Sequence, residues 1–267
     1  MPCGKCLACL GRRRDEWAFR LGVEERYSSS SFFLTLTYSD DNVPEAWSDR
    51  HGCMLPIFSK RDVQLFLKRL RKKRPHDNLR YFCVSEYGGQ FGRPHYHMIL
   101  FNAVGTQADI HEDCLRAWDL GIVHIGSVTD ASIKYVCKYC LAYEDEYKSE
   151  TPDKPFMLCS RRPGLGYHYI NDSTRARFGR NPDSLIGLSG VVHFVPRYIR
   201  NKLNPNPNYY DRWKQERKQE ERFREQMDKY RKKYGDYDDK MYESGGQSMM
   251  NQQILAKIAQ VRKNLKL

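Results

Sequence analysis

No stretch of this 267-residue chain approaches the roughly 18 consecutive apolar residues that a membrane span needs, which argues against an integral membrane protein. The start, MPCGKCLACLGRRR, lacks the apolar core of a secretory leader and places cysteines ahead of its basic run. The phosphate loop Gly-x-x-x-x-Gly-Lys-Ser/Thr is missing too, so neither a nucleotide cofactor nor a helicase motor of that kind is expected. There is no internal repeat. Acidic residues are in short supply: 33 Asp and Glu face 45 Lys and Arg, a formal net charge of +12. A surplus of that size favours an anionic partner, nucleic acid before others. Nine cysteines cannot all pair, and without a leader they read as reduced thiols of a cytosol rather than a disulfide framework.

What is present suffices for a sizeable core, with 40% hydrophobic and 13% aromatic residues. Three segments are expected: a cysteine cluster and N-terminal helix over 1–27, a main domain over 28–203, and a charged helical extension over 204–267. The last boundary falls at NPNPNYY, where proline and asparagine break the pattern. Beyond it, residues 208–234 alternate charges, with Glu216 and Glu220 spaced for pairing four residues apart. Ile254, Ile258, Val261 and Leu265 then form one helical stripe, which must dock on its own domain or on a partner.

The main domain switches between the two structural periods. Residues 12–27 read as a helix with Trp17, Phe19 and Leu21 turned inward, and 32–38 as a strand rich in aromatic and β-branched types. Ser59 caps a helix to residue 73 whose stripe is Val63, Phe66, Leu67 and Leu70. Residues 80–86 and 95–101 are strands joined by the turn segment GGQFGRP. A short helix over 109–121, ended by Gly121, leads to a strand over 122–128, and a further helix covers 131–143. Strand, helix, strand, strand, helix, strand is the ferredoxin-like split βαβ order. It is an α+β fold in which a mainly antiparallel sheet carries helices on one face, followed here by a C-terminal helical appendage.

Two short patterns bear on chemistry. His95 and His97 are two apart on a strand, so both imidazoles project from one face. Glu86, across the short turn, is the carboxylate placed to join them. Two imidazoles and a carboxylate on an open face suit Mn²⁺ or Mg²⁺ polarising a phosphodiester. With 8 histidines in the chain, about 0.2 such His-x-His pairs arise by chance, so packing histidines are the competing reading. Tyr135 and Tyr139 are four apart on a helix, with Lys138 between them. A phenol becomes a nucleophile when a cation or base stabilises its phenolate, and Lys138 could neutralise phenolate or phosphate charge. The chain's 18 tyrosines give about one such spacing by chance, so alone this pair reads as packing.

Together and in order, FLTLTYSDDNVP (33–44), SEYGGQFGRPHYHMILF (85–101) and KYVCKYC (134–140) resemble the HUH superfamily of single-strand DNA nicking enzymes. More narrowly, they resemble the replication initiators of gokushovirus-type microviruses. PCGKCLAC near the start and SRRPGLG (160–166) are similar to that group as well, so the resemblance covers roughly residues 2–200. It implies an HUH endonuclease fold in which His95, His97 and Glu86 hold a divalent ion. Tyr135 and Tyr139 would be paired nucleophiles assisted by Lys138. The implied activity is origin nicking through a 5′-phosphotyrosine link with later religation, driving rolling-circle replication. Implied partners are single-stranded or supercoiled viral origin DNA, a host helicase and a host polymerase, in the cytoplasm of an infected bacterium. A relaxase or transposase of the same superfamily, or a non-enzymatic zinc-stabilised nucleic-acid-binding protein, are the alternatives.

Cys3, Cys6 and Cys9 form Cys-x-x-Cys-x-x-Cys, expected by chance about 0.01 times. Three thiolates could hold structural Zn²⁺ with a fourth ligand such as Cys159 or a histidine; an iron–sulfur cluster or a terminus of reduced thiols are the other readings. Positive charge gathers at Lys60, Arg61, Lys68, Arg69, Arg71, Lys72, Lys73 and Arg74, a tract able to follow a phosphate backbone. Arg12, Arg13, Arg14, Arg161 and Arg162 extend it, and Tyr38, Tyr87 and Phe91 are candidates for stacking on unpaired bases.

Overall fold

The computed structural model describes residues 6–88, 92–139, 153–180, 186–188, 191–193 and 195–203, with single positions at 218, 221 and 225. Trp17–His168 forms one compact unit, and the residues before and after it form another. Among the described residues, no helix is long and apolar enough to cross a membrane.

In the larger unit, strands β1 (Ser31–Tyr38), β4 (Arg80–Tyr87), β5 (Pro94–Phe101) and β6 (Gly121–Ser127) lie in the sheet order β6-β1-β5-β4. All three neighbouring pairs are antiparallel. Helix α2 (Lys60–Lys73) follows β1, and α3 (Gln107–Trp118) follows β5. This is the split βαβ order expected from the sequence, mixed α/β with an antiparallel sheet. Short β7 (Met157–Cys159) adds a fifth strand beside β4, and β2 (Glu45–Ser48) with β3 (Cys53–Pro56) makes a separate hairpin. Neither was anticipated.

The helices occupy both faces of the sheet rather than one. On the first face, α2 buries Val63, Phe66, Leu67 and Leu70 with α3, against Leu34, Leu36, Tyr96, Met98 and Leu100. Ser59 caps α2 by accepting from Asp62 N. On the second face, Trp17 and Leu21 of α1 (Leu7–Tyr27) join Ile133, Val136 and Cys137 of α4 (Asp130–Lys138) over Phe82, Val84, Ile99 and Phe101. Alternation along each strand makes this possible, because residues of opposite parity feed opposite cores. Helix α1 begins five residues earlier than expected. Helix α3 ends on Asp119, left-handed at φ 41°, and Gly121 instead opens β6. There a Cβ would stand 2.3 Å from Thr37 O, so only glycine allows the strands to approach.

In the smaller unit, α5 (Asp172–Arg180), the β8–β9 pair (Ile186–Leu188, Val191–His193) and α6 (Arg197–Leu203) are short, with Phe178 and Ile199 buried. Lys218, Glu221 and Glu225 are helical and exposed; the remainder of the expected appendage, including the stripe from Ile254, lies outside the described residues.

Candidate active site

The register of β4 and β5 builds the site. Glu86 sits directly opposite His95, and Val84 opposite His97, so the carboxylate and both imidazoles share the face covered by α1 and α4. The turn between these strands is drawn closed by Gly88 N donating to Arg93 O at 2.9 Å, with Gly92 left-handed at φ +58°. Gly88 has a second use: a Cβ there would lie 2.6 Å from His95 Cε1, so its bareness gives the imidazole room.

His97 is buried and held from both sides. Its Nε2 is 2.9 Å from Glu86 Oε2, and its Nδ1 is 3.2 Å from Thr35 Oγ1. If Nε2 carries the proton it donates to Glu86, and Nδ1 then accepts from the threonine hydroxyl. The two imidazole centroids are 5.9 Å apart. His95 Nδ1 is buried and, among the described residues, has no hydrogen-bond partner. Burial, and next the neighbouring His97, hold His95 below the usual histidine pKa, which favours the neutral, ligating form.

Helix α4 brings the two tyrosines to the same point. Thr129 caps it, accepting from Ser132 N, and Ile133, Val136 and Cys137 bury its inner stripe. That docking turns Tyr135 and the C-capping Tyr139 toward the histidine strand. Tyr135 and Tyr139 ring centroids lie 5.2 and 5.7 Å from that of His97, and 5.1 Å from each other. Tyr135 donates weakly to Glu86 Oε2 at 3.5 Å. The Lys138 ammonium stands 5.4 Å from the Tyr139 ring centroid. Burial raises both phenol pKa values, Tyr139 further through its hydrogen bond with Tyr135 and through Glu86. Both hydroxyls are therefore protonated at neutral pH.

Thr35 and Phe33 belong to this site and escaped the sequence reading. Phe33 packs its ring 5.8 Å from His97 and 6.2 Å from Tyr135. Both precede Thr37 at alternate positions in FFLTLTY, the parity opposite to the buried Leu34 and Leu36. That parity was the available signal.

Other candidates are placed elsewhere. Tyr38 is not a base-stacking surface: it is fully buried on the α2–α3 face, with its hydroxyl donated to Asp62. Tyr87 packs on Phe58 and donates to Pro56 O, while Phe91 lies outside the described residues. The basic tract of α2 is on the face opposite the histidines. Lys60, Arg61, Lys68, Arg69, Arg71, Lys72 and Lys73 are exposed there. Arg69 pairs with Asp119, Arg71 bonds Leu79 O, and Arg74 is held by Asp77 and Asp113. Cys9 N donates to Cys6 Sγ at 3.4 Å at the start of α1; Cys3 lies outside the described residues. Arg14 pairs with Asp15 and Arg12 with Glu16.

The donor set at β4 and β5 fits a divalent cation in kind. Among the described residues no three His, Cys, Asp or Glu side chains already converge in coordinating geometry, and His97 and Glu86 bond to each other. The buried, unpartnered His95 Nδ1 is nonetheless a donor atom whose desolvation a cation would offset.

The family model described as replication-associated protein ORF2/G2P matches residues 31–143. The replication-associated protein ORF2 of Spiroplasma virus 4 is 30% identical over 226 residues, covering 76% of this chain and 67% of that protein. The replication-associated protein VP4 of Bdellovibrio phage phiMH2K is 28% identical over 230 residues, 77% of this chain and 68% of its own. ORF4 of Chlamydia phage 1 is 27% identical, over 76% of this chain and 53% of its own. Among solved structures, the N-terminal nuclease domain of the minute virus of mice non-structural protein 1 aligns with 57% of this chain and 79% of its own. The TM-score is 0.23 and the identity 12%.

Proposed function

The chain belongs to the replication-associated protein family of the microviruses, and from that membership together with the tyrosine–histidine cluster we propose that it nicks and rejoins single-stranded viral origin DNA. One observation carries the reading: two phenols and two imidazoles, some forty residues apart in sequence, meet around Glu86 on one face of the sheet.

His95, His97 and Glu86 would hold Mg²⁺ or Mn²⁺, which when bound makes the scissile phosphorus more electrophilic. Tyr135 or Tyr139 attacks that phosphorus, forming a bond from the phenol oxygen to phosphorus as the bond from phosphorus to the 3′ oxygen breaks. The 3′ oxygen leaves as a hydroxyl that a host polymerase can extend, and the 5′ phosphate stays on the tyrosine. Energy of the broken phosphodiester is thereby kept for rejoining. Glu86 Oε2 is the acceptor toward which the Tyr135 hydroxyl points. Lys138 balances the negative charge that develops as the phenol loses its proton. Thr35 fixes the orientation of the His97 ring from behind. With two tyrosines side by side, the second attacks the junction regenerated after one round, releasing a unit-length strand.

The exposed cations of α2, on the other face, supply long-range attraction for DNA rather than contact at the scissile phosphate. A host helicase supplies unwinding in the infected cell's cytoplasm. Zinc held by Cys3, Cys6 and Cys9 would be structural and apart from this chemistry.

The test uses an origin-bearing oligonucleotide with Mn²⁺. Intact protein is expected to form a covalent adduct that survives denaturation and disappears with chelator. Tyr135→Phe/Tyr139→Phe is expected to bind DNA and form none. An adduct on the double variant contradicts the assignment of nucleophiles.

A further inference from the structure

A second anchored surface stands at the opposite end of β4, on the histidine side of the sheet. Glu24 of α1 and Arg80 of β4 form an ion pair whose side chains are only 1% and 7% exposed. The other Glu24 oxygen accepts from Gly166 N at 2.8 Å. Arg20 donates from Nε to Leu165 O at 3.0 Å and lays its guanidinium over Trp17. Leu165 is buried in the same cluster as Trp17, Leu21 and Phe82. Gly166 is left-handed at φ +77°, and a Cβ there would stand 3.1 Å from Arg20 Cα. At its other end the loop is tied to β4, with Ser160 N donating to Tyr81 O and Tyr81 N to Ser160 Oγ. Burying an ion pair is costly, and here it fixes the backbone of a surface loop.

That loop holds Arg161 and Arg162 outward, both exposed. Tyr167 and His168 continue it, and the His168 ring stacks on exposed Tyr27 with centroids 5.5 Å apart. Among the described residues neither arginine pairs with a carboxylate, whereas Arg69, Arg74, Arg93 and Arg116 all do. We infer that the Arg161–Arg162 loop is a second DNA contact, gripping phosphates of the single strand while Tyr167 and the Tyr27–His168 pair take unpaired bases. Guanidinium forks match phosphate oxygens, and aromatic faces accept any base. The inference rests on the reading of the chain as a DNA nickase. Arg80 and Glu86 are six residues apart on β4. At ~3.3 Å per residue that is ~20 Å along the strand. A strand held by the loop and entering the site at once would run along this face of the sheet.

The full chain is titrated with a fluorescent single strand of ~30 nucleotides of random sequence, with chelator present so that nothing is cleaved, over a series of salt concentrations. Each lost phosphate contact lowers the slope of log affinity against log salt by ~0.7. Arg161→Gln/Arg162→Gln is expected to lower it by about 1.4, and Lys68→Gln/Lys72→Gln, the same charge removed from the opposite face, by less than half of that. All four side chains are exposed, so unchanged melting temperatures are expected to accompany both variants. No drop in the loop variant, or equal drops in the two, overturns the inference. The nickase reading fails separately: an intact protein that forms no adduct while the loop variant loses slope as stated keeps the loop and loses the chemistry.

Discussion

The two faces of the sheet each carry a pair of tyrosines at right angles, and the two pairs have opposite fates. On the α2–α3 face, Tyr38 and Tyr96 lie with ring centroids 5.9 Å apart and hydroxyls 2.9 Å apart, both fully buried. Their hydroxyls are consumed by structure: Tyr38 donates to Asp62, and Tyr96 accepts from Ser59 N at the cap of α2. On the α1–α4 face, Tyr135 and Tyr139 are similarly spaced but half-buried, and they point at histidines and a carboxylate. Residue type is the same and pair geometry is similar. What separates packing from chemistry is the partner set, settled by which parity of each strand a helix covers.

That contrast can be broken in order of effect. Tyr38→Ala removes a fully buried aromatic and is expected to cost about 3–5 kcal/mol in chemical denaturation, while the folded fraction still forms adduct. Loss of adduct per folded molecule would mean that the two faces are coupled. Tyr96→Phe strands Ser59 N and takes one of its two partners from the Tyr38 hydroxyl, which keeps Asp62, at about 1–3 kcal/mol. The same pair is expected to make the protein alkali-sensitive. Burial holds the Tyr96 pKa up to about 12, above its ordinary value. A raised phenol pKa contributes stability that is complete below ~10, the unfolded value. It is lost as pH climbs toward about 12. Denaturation midpoints measured across that window should fall less steeply in Tyr96→Phe; an identical fall would remove Tyr96 as the cause.

On the other face the expected signs reverse. Gly88→Ala drives a methyl into His95, and Thr35→Val frees His97 to rotate. For Thr35→Val, nicking should fall about 10- to 100-fold, the usual loss when an orienting partner is removed, with stability changed by about 1 kcal/mol or less. A Thr35→Val protein that nicks normally would show that His97 is oriented without it.

Much of this was legible from local pattern. The stripe Val63, Phe66, Leu67 and Leu70 and its Ser59 cap stand where the helical period puts them. The short turn between two strands sufficed to set Glu86 opposite His95. Information carried between distant segments was not legible. β7 pairs with β4 across some 75 residues, Cys83 with Leu158, and a three-residue strand leaves no periodicity to read. Asp119 rather than Gly121 ends α3 because a short polar side chain tolerates the left-handed turn, while the glycine serves a strand contact. The basic run of α2 was visible as charge, but nothing local says on which side of a sheet a helix will lie. Tyr38 was misjudged although its side was legible: in FLTLTY it shares parity with Leu34 and Leu36, not with Thr35.

The central claim is that the α4 tyrosines, and not those of the opposite face, take the DNA. Adduct formed with an origin strand and Mn²⁺, digested with protease and sequenced by mass spectrometry, tests it directly. The nucleotide is expected on the peptide containing Tyr135 and Tyr139; a nucleotide on any other tyrosine would contradict the account.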